Sequence, residues 1–337
     1  MVSTTPCAKV APRHAVVLLG DSTMRYLYLM LVHLLLNVGD DGSSWKSCAN
    51  DCFWDQRTFD RSTQGDGWER FFELSSNASK CQVCDCNRRR VCNPVHGCEA
   101  VENRYTFIPE AGLSLNYMQV YGELPVKGFL QPAGGPPHAS GNLSSRRPWK
   151  MNLQDLLEAL CSSEVPTTVV INLGHWLQPW KRAKDKLDAT YAAISDKIQA
   201  ACLQALWVQT IAHPHASIEN TTYEKFIDLD FQFVSHRFNS ERFQYFPTKR
   251  WLADASQRDF WDGKVHLAAK HNAILACNLW LMVQAFHPRA KAFKLSQPVF
   301  CKALGAEGVR ANLVERVVSQ HTTTRRPNAS HTHAQAV

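Results

Sequence analysis

Residues 15–26 read Ala15-Val16-Val17-Leu18-Leu19-Gly20-Asp21-Ser22-Thr23-Met24-Arg25-Tyr26, and this stretch decides the fold. The unbroken apolar run 15–19 is the pattern of a strand covered on both faces, because an exposed face would call for alternating polar residues. Gly20-Asp21-Ser22 interrupts it, and Thr23 to Asn37 then follows as a largely apolar helix. Strand, tight turn and helix in immediate succession open an α/β unit.

Working outward, Tyr105–Ile108 and Tyr117–Tyr121 read as strands, and 132–148, rich in Pro, Gly, Ser and Arg, as a loop. Asn152 is placed to cap a helix running to Cys161, with Asp155 in its first turn. Thr167–Asn172 (Thr-Thr-Val-Val-Ile-Asn) is the second clear buried strand. Leu187, Tyr191, Ile194, Ile198 and Ala201 recur at helical spacing, which makes 183–203 amphipathic. A strand over Ala205–Ile211, a helix near 223–236, a short strand near 242–246 and a helix over 267–286 complete the pattern. Strands alternating with helices imply an α/β three-layer sandwich around a mostly parallel, flavodoxin-like sheet. The expected organisation is one domain over 1–318, with an insertion at about 39–104, and a polar tail over 319–337.

The stretch 39–104 differs in character. Of the 12 cysteines, Cys48, Cys52, Cys81, Cys84, Cys86, Cys92 and Cys98 fall inside it, among Gly, Asp, Ser and Asn. We read it as a disulfide-stapled insertion; zinc is the rival, since Cys81-x-x-Cys84 has ligand spacing but no second such pair follows. Four Asn-x-Ser/Thr sequons, at Asn77, Asn142, Asn220 and Asn328, also point to an oxidising, glycosylating compartment, either the Golgi lumen or the extracellular space. Residues 1–14 lack the hydrophobic segment of a signal peptide, so a secretory address is expected to come with a leader that this start does not carry.

A net charge of +7, with basic clusters at 88–90, 146–147 and 181–186, is compatible with a solvated surface or a groove for an acidic glycan. No recognition motif accompanies it, which speaks against nucleic acid. No apolar run reaches the roughly 18–20 residues of a membrane-spanning helix; Tyr26–Val38 and Ala273–Phe286 come nearest.

Reactive groups in an open parallel sheet gather beyond the C-terminal ends of its strands. Ser22 follows the first strand directly and opens a helix, whose first N–H groups lack partners within the helix and suit a developing oxyanion. Equally, Asp21 or Ser22 can serve only as the helix cap. Asn172 ends the second buried strand, within Asn172-Leu173-Gly174-His175-Trp176, where its amide can donate to the same oxyanion or brace its own turn. Asp262 and His266 lie close together before the last helix. A serine hydroxyl needs a base to take its proton, and the base needs a carboxylate to fix its tautomer. His175, His213, His215 and His271 are lesser alternatives for the base.

These three blocks, in this order, resemble the SGNH/GDSL superfamily. Gly20-Asp21-Ser22-x-x-Arg25 and Ile171-Asn172-Leu173-Gly174-His175-Trp176 are similar to its PC-esterase branch, which includes the trichome-birefringence-like polysaccharide O-acetyltransferases. The resemblance implies Ser22 as nucleophile, His266 as base, Asp262 as its orienting acid and Asn172 as an oxyanion donor. It also implies that Arg25, Gly174, His175 and Trp176 line or organise the site. The implied reaction is acyl transfer, with an acyl donor and a glycan or polysaccharide acceptor, and with no cofactor or metal. Two departures stand out. Three residues separate Asp262 from His266 where the branch has two, so Asp259 competes for the acid role. The superfamily's oxyanion glycine has three possible counterparts, Gly112, Gly122 and Gly128. A catalytically inactive, glycan-binding or structural relative is the alternative function.

Overall fold

The computed structural model describes residues 12–36, 82–87, 101–108, 112–120, 125–128, 149–161, 165–173, 192, 195, 203–210, 243–248 and 269–286. Within them lie strands β1 (His14–Gly20), β2 (Gln82–Asn87), β3 (Val101–Ile108), β4 (Leu113–Gln119), β5 (Val126–Gly128), β6 (Trp149–Met151), β7 (Thr167–Asn172), β8 (Gln204–Val208) and β9 (Phe243–Phe246). Helices α1 (Ser22–Leu36), α2 (Leu153–Cys161) and α3 (Ala269–Phe286) accompany them. Ala192 and Ser195 are also helical. The rest of the helix expected over 183–203, the helix near 223–236, the loop 132–148 and the tail 319–337 lie outside the described residues.

Seven strands form one mixed sheet in the order β2-β3-β4-β1-β7-β8-β9. β1 runs parallel to both β4 and β7, and β7, β8 and β9 are mutually parallel in sequence. β3 is antiparallel to β4, and β2 to β3. The protein is therefore α/β with a mostly parallel sheet, and its five parallel strands, counted along the chain, stand in the order 2-1-3-4-5.

Every residue of β1 is buried, as its unbroken apolar run requires. Strand geometry sends alternate side chains to opposite faces. Val16 and Leu18 enter one cluster with Met24, Leu27 and Leu31 of α1 and Leu275, Leu279 and Trp280 of α3. Val17 and Leu19 enter the other, with Leu156, Leu157 and Leu160 of α2. Each such side chain contributes about 1.5–3 kcal/mol on burial, and this fixes the register of the central strand. Asn152 caps α2, its Oδ1 accepting the Asp155 N–H at 2.7 Å.

Part of the expected cysteine-rich insertion belongs to the sheet. β2 and the first residues of β3 fall within 39–104, yet they pair as consecutive sheet strands. Charge disguised β3 in the sequence: Glu102 and Arg104 are buried, and the pair between them satisfies both. β4 starts earlier than the expected strand at Tyr117, because its polar Ser114 and Asn116 are buried and bonded to each other at 2.7 Å. The short β5–β6 pair was not anticipated. Cys161 and Cys277 are disulfide-bonded. Cys48, Cys52, Cys81, Cys92, Cys98 and the four sequons lie outside the described residues. Among the described residues, no helix is long and apolar enough to cross a membrane.

Candidate active site

The parallel strands end together at one edge. Gly20, the last residue of β1, lies in register with Gln119 on one side and Asn172 on the other. The chain leaving β1 goes on to β4 on one side, whereas β7 continues to β8 on the other. A crevice opens where connections diverge in this way, and α/β proteins place ligands there. Ser22 stands at this divergence.

The turn that carries Ser22 is tightly specified. A Cβ on Gly20 would lie 2.5 Å from the Asn172 carbonyl oxygen and would overlap Met24 Cγ. Glycine is thus required by the close approach of the first turn of α1. Asp21 is the helix cap, its Oδ1 accepting the Thr23 N–H at 2.8 Å. The Asp21 carbonyl takes the first helical bond, from Arg25 N–H at 3.1 Å. Ser22 is then the first helical residue and half-buried, with the capping task assigned to its neighbour.

Tyr117 of β4, which motif reading passed over, braces the same turn from behind. Its hydroxyl lies 3.0 Å from the Asp21 carbonyl oxygen and 3.3 Å from that of Gly20. Its ring packs beside Tyr28 of α1, with centroids 6.1 Å apart. The only signal in the sequence was a tyrosine within an expected strand, since a buried phenol needs a polar partner.

Asn172 is buried at the end of β7, with its amide already engaged. Nδ2 donates to the Val208 carbonyl at 2.9 Å and to Thr210 Oγ1 at 3.2 Å. The amide thereby ties the end of β7 to the chain leaving β8. Next to it, Thr248 Oγ1 donates to the Gln209 carbonyl at 2.9 Å, and Gln209 N–H donates to Phe246 O at 3.0 Å, so the polar contacts continue to β9.

Arg25 is not a surface residue. It is buried, its Nη1 lies 2.9 Å from Glu102 Oε2, and its guanidinium sits 5.4 Å from the Tyr26 ring centroid. The other oxygen of Glu102 accepts from Arg104 Nε at 2.9 Å. Because β3 is antiparallel to β4, its Glu102 end lies at the same edge of the sheet as Ser22. The ion cluster therefore links the first turn of α1 to a strand two places away.

Ser22, Asn172 and Arg25 thus share one edge of the sheet, whereas Gly174, His175, Trp176, Asp259, Asp262 and His266 lie outside the described residues. So do His213, His215, Gly122 and the side chain of His271. Gly112 is at the opposite end, before β4. Its φ of 57° suits a left-handed turn, and its carbonyl accepts from Arg13 N–H at 2.7 Å. Gly128 pairs with Trp149 in the small sheet. Val120, two residues before Gly122, donates its N–H to Gly20 O at 2.8 Å. Among the described residues, no three His, Cys, Asp or Glu side chains gather to hold a metal ion. Comparison with protein-family models, with curated proteins and with solved structures finds no match to this chain.

Proposed function

We propose that the protein transfers acyl groups through an acyl-serine intermediate on a flavodoxin-like, SGNH-type fold. The observation that carries this is the position of Ser22. It is the first residue of α1, just past the central strand, in the crevice where the strand connections diverge, and Asp21 takes over the capping role. His266, oriented by Asp262 or Asp259, takes the Ser22 hydroxyl proton as Oγ attacks an ester carbonyl carbon. The oxyanion is held by the Ser22 N–H and the Asn172 amide, with Gly122 favoured over Gly112 because its segment follows Val120 beside Gly20. Gly174, His175 and Trp176 follow Asn172 in the sequence and, by the family resemblance, contribute to substrate binding.

Collapse of the tetrahedral intermediate breaks the ester C–O bond, and His266 returns its proton to the leaving alcohol. Attack by water on the acyl-serine makes the protein an acetylesterase; attack by a sugar hydroxyl makes it a glycan O-acetyltransferase. To act, Asn172 must redirect one of its two engaged N–H donors to the oxyanion. The 3.2 Å bond to Thr210 is the longer of its two, and a charged oxyanion is a better acceptor than a hydroxyl. The disulfides at Cys161 and Cys277 support a lumenal or extracellular setting.

The engaged Asn172 amide also favours a second function, a non-catalytic glycan-binding protein built on the same frame. Labelling with a serine-reactive fluorophosphonate separates the two. An acyl-transfer enzyme forms an adduct at Ser22 that Ser22→Ala abolishes, together with turnover of 4-nitrophenyl acetate. Unchanged turnover in Ser22→Ala rejects the nucleophile.

A further inference from the structure

We infer that Tyr117 is a positioning residue that polarises the backbone amide of Ser22. This role presupposes the acyl-serine mechanism proposed above. A tyrosine hydroxyl has one proton to donate, and the nearer of its two acceptors here is the Asp21 carbonyl, at 3.0 Å against 3.3 Å for Gly20. The Asp21 carbonyl and the Ser22 N–H belong to a single peptide group. In a trans peptide the C=O and N–H bonds point in opposite directions within one plane. Tyr117 therefore pulls on the oxygen from behind the turn while the N–H is directed to the front.

Arg25 N–H occupies the same carbonyl at 3.1 Å, so both lone pairs of the Asp21 oxygen are addressed. Hydrogen bonds to a carbonyl draw electron density from the peptide nitrogen and make its N–H a stronger donor. The plane of the amide is fixed by the same contacts. Tyr117 is fully buried and packs beside Tyr28, so its hydroxyl is held without rearrangement during the reaction.

The control is Tyr28. Its hydroxyl is also buried on this face of the sheet, but bonds Thr106 Oγ1 at 2.6 Å and does not touch the turn. Tyr117→Phe is expected to lower kcat for 4-nitrophenyl acetate and the fluorophosphonate labelling rate by about threefold to tenfold, with KM unchanged. Tyr28→Phe is expected to lower thermal stability while leaving both rates as in the wild type. Tyr117→3,5-difluorotyrosine, which keeps ring and hydroxyl but donates more strongly, is expected to label faster, and it decides the matter if Tyr117→Phe does not fold. Wild-type rates in Tyr117→Phe, an equal loss in Tyr28→Phe, or no response to fluorination overturns the role of Tyr117. Turnover that survives Ser22→Ala overturns the acyl-serine mechanism instead, and the role of Tyr117 falls with it.

Discussion

Gly20 and Asn172 face each other at the ends of β1 and β7, so closely that a single methyl group on Gly20 would meet the Asn172 carbonyl oxygen at 2.5 Å. The glycine lets the first turn of α1 descend onto the sheet edge. Gly20→Ala is expected to lift that turn, costing about 1–3 kcal/mol of stability in urea unfolding and slowing fluorophosphonate labelling of Ser22. A variant with wild-type stability would show that the contact relaxes freely.

Asp21 and Ser22 divide two tasks between adjacent side chains. Asp21→Ala removes the cap on the Thr23 N–H and is expected to cost about 0.5–2 kcal/mol. Ser22→Ala is expected to stay within about 0.5 kcal/mol of the wild type while losing activity. Denaturation curves of the two variants beside their ester turnover test the division.

Glu102 holds two guanidinium groups, Arg25 on one oxygen and Arg104 on the other, each at 2.9 Å. Glu102→Gln leaves two buried cations without their anion, and removing one partner of a buried pair typically costs about 3–5 kcal/mol. A large drop in the unfolding midpoint is expected. Arg25→Lys is expected to be poorly tolerated too, since an ammonium does not reproduce the stacked, planar group beside Tyr26.

Asn172→Asp replaces the donor facing the Val208 carbonyl with an acceptor, so two oxygens oppose each other in a buried site. The variant is expected to lose about 1–3 kcal/mol of stability and, by the proposed mechanism, about 100-fold or more in kcat. Full activity in a folded Asn172→Asp protein would remove the amide from the oxyanion site.

Cys161 and Cys277 sit in helices on opposite faces of the sheet, and both are disulfide-bonded. Reduction under non-denaturing conditions is expected to lower stability by about 2–4 kcal/mol per bond lost. A reduced protein with an unchanged unfolding curve would show that these bonds constrain nothing.

What the residues by themselves determined is the parallel half of the sheet, β1, β7, β8 and β9. Runs such as Val16–Leu19 and Val169–Ile171 have no polar face to turn outward, so they had to become strands covered on both sides, and Asn152 announced its helix by capping chemistry. Ser22 and Asn172 were legible for the same reason, as polar residues placed where apolar strands stop. Only the tertiary structure decided the rest. Glu102 and Arg104 look like surface residues until the fold pairs them in the core and brings Arg25, 77 positions from Glu102, to the second oxygen of the carboxylate. Tyr117 looks like any core aromatic until its hydroxyl meets a carbonyl 96 positions away. A buried polar group depends on its partner, and the partner is chosen by the fold, not by the neighbouring sequence.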